Sequence, residues 1–407
     1  MMRSRHAVLS VFVVAAGFVA VGRVGYAQTI TTLTSFNGNN GSIPEGALAL
    51  SGSTLYGITY DGGAYGDGTI YSVPVTGGTP TILADFNGAD GEHCESGLTV
   101  SGGTLFGATA QGGTYENGAV FSEPLTGGTP TVVYSPLYAG AGDVGPVGGV
   151  VRLGNTLYGT TQGGGANNDG EIFSVPVTGG TPTILFSFDG THGSNPDATL
   201  TLSGGTLYGT TAFGGAHDDG EVFSIPVTGG TPTVLASFNG ADGATSRTGV
   251  ILSGGTLYGS TLIGGADANG DIYSVPVTGG TPNVLTPFDQ SDGESDQGLA
   301  ISGNTLYCIT PNGGAYGYGD IISLPVTGGT PTILVSFNKS NGAYPDSGLL
   351  LLGSTLYGTT LRGGDYDDGT VFAVIIPEPT SISLGTIAVA CLMIRRQTAE
   401  TDKNRNR

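Results

Sequence analysis

The sequence predicts an all-β chain folded as a seven-bladed β-propeller, and three observations carry that expectation. A T-L-Y-G core begins at Thr54, Thr104 (as T-L-F-G), Thr156, Thr206, Thr256, Thr305 (as T-L-Y-C) and Thr355, at spacings of 50, 52, 50, 50, 49 and 50 residues. A fixed period of this size marks supersecondary units that stack on one another. Each period holds four short β-rich runs, the strand count of a propeller blade. The seventh period lacks its last run, and a matching run stands at the opposite end of the chain, so the array closes on itself. A solenoid is the alternative architecture, but its coils are usually shorter and it needs caps.

Residues 1–27 read as a secretory signal peptide. M-M-R-S-R-H supplies a basic start, an apolar run follows, and Gly25 and Ala27 put small residues ahead of a cleavage point before Gln28. The apolar run is short for a retained membrane anchor.

Residues 28–376 hold the repeat. In the copy around Tyr208, D-A-T-L-T-L-S is strand a, G-G a turn, and T-L-Y-G-T-T-A strand b. The loop F-G-G-A-H-D-D-G follows, then E-V-F-S-I-P-V-T as strand c, a second G-G, and T-P-T-V-L-A-S-F as strand d. Two glycine-linked hairpins make four antiparallel strands. Apolar residues at both odd and even positions fit blades covered on both faces. With G-G as the c–d turn, Pro182 is expected opposite Val177 on an outer edge strand, and Pro176 on strand c costs a ladder bond or forces a bulge. In the last unit T-V-F-A-V-I-I runs straight into Pro377, while T-I-T-T-L-T-S-F-N occupies residues 29–37. The N-terminal strand therefore closes the last blade.

Residues 377–407 form a third segment: Pro377, Glu378 and Pro379, an apolar run, then Arg395 and Arg396 with a charged tail. Proline cannot donate to a ladder, so the motif stops the preceding strand. The tripartite end resembles the PEP-CTERM sorting signal, with Pro377, Glu378 and Pro379 matching its motif and Arg395 and Arg396 its basic cluster. That resemblance implies processing by an exosortase-type enzyme, contact with the membrane only through the apolar helix before processing, and delivery to the cell surface or an exopolysaccharide matrix. Extracellular polysaccharide is then the partner it suggests.

The chain carries a formal charge of −20. Between Gln28 and Ile376 there are 29 Asp and Glu against Arg152, Arg247, Lys339 and Arg362. Such a surface repels nucleic acid and anionic lipid. In an antiparallel blade the b–c and d–a loops emerge on one face, which gathers 27 of those 29 acids there. Asp, Asn and Gly also make good turns and keep a protein soluble. As cation ligands the candidates are Asp219, Asp267, Asp367 and Asp368, with Ca2+ the ion, although loops such as G-G-A-H-D-D-G lack an EF-hand's ligand spacing.

Catalytic motifs are sparse. His93, His192 and His217 fall in separate blades, and there is no HxxxH zinc pair, no G-x-S-x-G elbow and no phosphate loop. Carboxylates suited to a glycosidase abound, but no pair stands out. The expectation is a non-catalytic binding or matrix protein, with a carbohydrate-active propeller enzyme as the alternative. Cys94, Cys308 and Cys391 suggest no disulfide framework, and Cys308, replacing a repeat glycine, is expected to pack. The lead-in to blade 3, S-P-L-Y-A-G-A-G-D-V-G-P-V-G-G, is two residues longer than its counterparts and marks a place for a specific contact.

The combination S-F-N-G-x-D-G, G-x-x-L-x-x-x-x-x-L-Y-G-T-T and G-G-x-x-x-D-G-x-x-F resembles the Gloeo/Verruco-type tandem repeat of exported, surface-anchored bacterial proteins, over about residues 29 to 376. The resemblance implies export and surface location and transfers no catalytic residue.

Overall fold

The structure is a computed structural model describing residues 28–137, 145–288 and 298–376. The leader, part of the blade 3 lead-in and everything from Pro377 onward, Glu378, Pro379, Arg395 and Arg396 included, lie outside the described residues. Among the described residues every regular element is a strand, and the strands form seven antiparallel sheets. None of the described residues forms a helix long and apolar enough to cross a membrane.

Blade 4 shows the unit: strand a Thr201–Ser203, b Thr206–Thr211, c Glu221–Pro226 and d Thr233–Ser237, paired in that order. Strand a is shorter than the seven-residue run expected, because residues 197–200 line an axial cavity instead of extending the ladder. The seventh blade closes as the sequence predicts. Ile30–Ser35 pairs with Thr370–Ile375, Ile30 opposite Val374 and Ser35 opposite Thr370. The outer strand of the last blade thus comes from the start of the ring.

The core is seven apolar clusters, each shared by two neighbouring blades. At five of the seven interfaces the Phe that follows strand d sets its ring edge-on against an aromatic of strand c in the next blade, as Phe86 on Phe121 at 5.2 Å, Phe188 on Phe223 at 5.5 Å and Phe337 on Phe372 at 5.1 Å. Phe36 repeats the contact on Tyr71 across the closing seam, at 4.8 Å. All these phenylalanines are fully buried. Each contributes about 1.5–3 kcal/mol through burial alone, so the interfaces hold the ring.

Those aromatics explain the glycine of T-L-Y-G. Gly209 stands directly opposite Phe223 in the b–c ladder, and a Cβ there would lie 2.6 Å from Cζ of that ring. The ring lies across the strand where a side chain would stand. Blade 6 is the instructive exception: Cys308 stands opposite Ile322, so the smaller aliphatic leaves room for a thiol, and Cys308 is fully buried. Cys94 is also buried, and its Sγ donates to the Ala108 carbonyl at 2.8 Å.

The c–d register differs from the expectation and removes the proline difficulty. Ser174 pairs with Thr183, which puts Pro182 opposite Val175 rather than Val177. Val177 N–H donates to the Asn155 carbonyl at 3.0 Å. Antiparallel residues alternate in the strand they bond to, so the Pro176 nitrogen points away from strand b, toward strand d. Strand d begins only at Thr183, so no ladder bond is lost there. The Pro176 carbonyl accepts the Gly179 N–H at 2.9 Å, which makes the proline the first residue of the turn.

The bulge falls on strand d. Ile172 pairs with Phe186 and Phe173 with Ile184, leaving Leu185 without a partner in its own sheet. Its carbonyl accepts the N–H of Gly230, in the c–d turn of the next blade, at 3.3 Å. Leu33, Leu83, Leu235 and Leu285 take the same bond from Gly78, Gly128, Gly280 and Gly329. The preceding glycine permits the approach: Gly229 has φ +81°, and its Cβ would lie 3.1 Å from the Leu185 carbonyl oxygen.

Candidate functional site

On the opposite face from these turns, the b–c and d–a loops surround the axis. Several of their side-chain carboxylates and amides are spent on the loops themselves. Asp90 Oδ1 accepts the Asn87 N–H at 3.0 Å and Asp242 Oδ1 that of Asn239 at 2.9 Å, closing the F-N-G-x-D turns. Asp218 Oδ1 accepts the Gly214 N–H at 3.0 Å, from a residue with φ 64°. Short polar side chains tolerate that left-handed backbone by bonding locally.

The four cation candidates stand in three blades. Asp367 Oδ1 accepts the Gly363 N–H at 3.0 Å, and its Oδ2 pairs with Lys339 Nζ at 3.1 Å. Asp219 and Asp368 serve through the backbone: their carbonyls accept Thr245 N–H at 3.0 Å and Ile43 N–H at 3.1 Å, each tying a loop to the following blade. Asp267 sits on an exposed loop tip. The structure does not bring these residues together, and among the described residues no group of three His, Cys, Asp or Glu is placed to hold a metal ion. The histidines are likewise dispersed. His93 stacks on Tyr60 at 4.5 Å and stands 3.6 Å from Asp61, while His192 bonds Asp189 at 3.0 Å, one of the contacts holding that carboxyl down at about 2.

What the fold does gather is one residue per blade at the mouth of the axial cavity, which has a volume of about 460 Å³. The position is nine residues before the first Thr of each strand b. It holds Glu45, Glu95, Val147, Asp197, Arg247 and Asp346 in blades 1 to 5 and 7, and Asp296 of blade 6 lies outside the described residues. The short inner strands place them by bonding around the axis. Thr99 Oγ1 donates to the Val150 carbonyl at 2.6 Å, Thr201 Oγ1 donates to the Val250 carbonyl, and Gly149 N–H donates to Thr199 Oγ1 at 2.8 Å.

Crowding at the mouth changes its protonation. Burial, with the negative charges of Asp346, Glu95 and Asp61 added, pushes the Glu45 carboxyl up to about 8, so it holds its proton at neutral pH. Burial pushes Asp197 up to about 6 against the opposing pull of Arg247, whose Nε stands 3.7 Å away. The Asp197 side chain is only 9% exposed, and its Oδ1 is buried with no hydrogen-bond partner. The mouth therefore has an acidic side, blades 7, 1 and 2, and an ion-paired side, blades 4 and 5. Sequence reading sorted these acids onto the right face but missed the ring, which becomes visible only when the units are aligned on T-L-Y-G.

A second tier of acids starts strand c beneath the b–c loops. Glu221, Asp271 and Asp320 are at most 2% exposed. Glu221 accepts a hydrogen bond from Ser237 at 2.7 Å, and burial pushes Asp271 up to about 6. Asp85, which the sequence left off this face, pairs with Thr69 at the same level and accepts the Ala64 N–H at 2.8 Å.

Solved structures share the fold at low identity. The chain superposes on a puromycin-hydrolyzing peptidase of Mycobacterium tuberculosis with a TM-score of 0.52 and 13% identity, covering 85% of this chain and 55% of that one. It superposes on the quinohemoprotein alcohol dehydrogenase of Comamonas testosteroni with a TM-score of 0.52 and 11% identity, covering 86% and 78%. At these identities the likeness concerns the propeller alone. No curated protein matches the sequence. The Gloeobacter/Verrucomicrobia repeat model matches residues 20–173 and 146–372, nearly the whole ring, and the chain belongs to that repeat family.

Proposed function

We propose that the chain is an exported, surface- or matrix-associated binding propeller without a catalytic role, and that its acidic face takes cationic groups at the axial mouth. The observation that carries this reading is the convergence of Glu45, Glu95, Asp197 and Asp346, from four blades, on one cavity where Arg247 is the one cation among the described lining residues. With Glu45 protonated at neutral pH and Asp197 paired with Arg247, the negative charge of the mouth comes from Glu95 and Asp346, and it concentrates ammonium groups or divalent cations. Calcium accepts six to eight oxygens in flexible geometry and suits carboxylates mixed with loop carbonyls. Export is supported by the leader and by the resemblance of Pro377, Glu378, Pro379, Arg395 and Arg396 to a sorting signal.

The test is a melting curve in EDTA, in 10 mM calcium, and in sodium chloride of matched ionic strength. A site of about 10⁻³ M, ordinary for an extracellular module, adds about 1.4 kcal/mol by mass action. Spread over a ring of about 350 residues that is about 2 °C. The E45Q/E95Q double variant should lose the shift. A calcium shift no larger than that of matched salt reduces the face to a solubility surface. Fractionation of the full chain against one ending at Ile376 tests the address, and identical partition sinks it.

A second reading is a carbohydrate-active enzyme, and Glu45 is the observation that favours it. A carboxyl that keeps its proton at neutral pH beside Asp346 and Glu95 is the pairing that glycosidic cleavage uses. Turnover of any glycan that disappears in Glu45→Gln would move the assignment to that class.

A further inference from the structure

The tip of each b–c loop, two residues past its second glycine or at the equivalent place, is exposed in all seven blades. Blades 3, 4 and 5 carry Asn167, His217 and Asp267 there. Blades 6, 7, 1 and 2 carry Tyr316, Tyr366, Tyr65 and Tyr115, which are 62%, 63%, 67% and 47% exposed. Separated in the sequence, these four become consecutive once the ring closes through the pairing of Ile30–Ser35 with the last blade. Tyr344, 37% exposed, stands edge-on to Tyr318 at 5.9 Å between blades 6 and 7 and extends the same arc.

We infer that this tyrosine arc is a binding surface for an uncharged polysaccharide. Four observations select that occupant. Tyrosine offers a flat apolar face and a hydroxyl, matching the apolar faces and hydroxyl rim of a sugar ring, and it does so with few rotatable bonds. The platforms are rigid: Gly68 N–H bonds the Gly62 carbonyl at 3.2 Å and Gly63 N–H the Gly38 carbonyl at 2.9 Å, and blades 2 and 7 repeat both bonds. Each ring stands on its own blade instead of joining a continuous apolar patch of the kind protein partners bury, so the ligand is one that repeats. Asp67, Glu116, Asp365 and Asp368 interleave with the tyrosines, supplying acceptors for sugar hydroxyls while repelling anionic polymers. Successive weak contacts along one polymer then multiply.

The inference takes the matrix setting from the proposed function, but it does not depend on the axial mouth. The experiment is native electrophoresis of the folded protein through gels containing hydroxyethylcellulose or dextran, two uncharged glucans of different linkage. At least one polymer should retard the chain. Y65A/Y366A, which removes two adjacent platforms, should weaken the apparent affinity at least three-fold, and Y65F/Y366F should keep most of it. H217A, at the equivalent tip of blade 4, should leave it unchanged. E45Q/E95Q should also leave it unchanged, which separates failure of the axial reading from failure of this one. The inference falls if neither glucan retards the chain, if Y65A/Y366A is retarded like the parent while its melting point is unaltered, or if E45Q/E95Q alone abolishes retardation.

Discussion

Replacing Glu123 by valine should make the ring more stable, and increasingly so as the pH rises. Glu123 occupies the strand c position directly opposite Leu105, where the other blades place Val73, Val175, Ile225, Val275, Leu324 and Val374. It is fully buried, both carboxyl oxygens lack hydrogen-bond partners, and burial, with Asp90 adding negative charge, pushes it up to about 7 from an ordinary 4.5. The native state therefore binds the proton more tightly than the unfolded chain does. Its stability contribution is complete below about pH 4.5 and declines until the pH passes about 7. At about 1.4 kcal/mol per pH unit the loss reaches at most about 3 kcal/mol above pH 8. For a ring of about 350 residues, with an unfolding entropy near 2 cal/mol/K per residue, that is a midpoint difference of about 4 °C. Calorimetry of parent and E123V at intervals from pH 5 to pH 8.5 reads it directly. Glu221 and Asp271, whose carboxyls burial also pushes up, are present in both proteins, so the difference curve isolates Glu123. A variant that melts below the parent at pH 8, or a difference flat across the range, would refute the reasoning.

Deleting residues 29–37 should leave Thr370–Ile375 as a bare edge and send the protein into aggregates on size exclusion; a monomer melting like the parent would show that the seam carries no load. Gly229→Ala should cost about 1–2 kcal/mol, because it meets both a positive φ and the Leu185 carbonyl. Gly204→Ala, at φ +57° with open space around it, should cost measurably less, and equal denaturation midpoints would contradict the inter-blade role of the turn. Glu45→Gln should flatten the pH dependence of stability. The native carboxyl, held at about 8, contributes stability below about pH 4.5 that is lost as the pH rises through 8, so the variant should match the parent at pH 5 and melt above it at pH 9.

The parts of this fold that follow from local chemistry were legible in the sequence. Glycine pairs marked the hairpins, the missing T-P-T-x-L-x-S-F in the last unit marked the seam, and acid-rich loops marked the face. What escaped was register. Pro176 reads as an obstacle only while the c–d turn is taken as two residues; a longer turn and the bulge at Leu185 place its nitrogen where nothing needs a donor. The axial ring escaped for a different reason. Glu45, Asp197 and Asp346 each follow a proline, and all four acids, Glu95 included, stand three residues before a leucine, but within one loop that pattern shows no partner, and only alignment on T-L-Y-G gathers the four around one axis. The tyrosine tips were readable individually, but their contiguity depends on which ends of the chain meet.

The bond from the c–d turn to the bulged leucine of the preceding blade, made at five of the seven interfaces, makes the repeat complementary to its own copy, head to tail. A unit that makes this bond on both sides carries a donor on one and an accepting carbonyl on the other, so such units can follow one another without a new contact having to arise. Gain or loss of such a repeat by unequal recombination would thus leave these interfaces chemically valid, and only the angle between blades would object. A lineage built this way can vary blade number and loop content separately, keeping one joint while changing what the loops present.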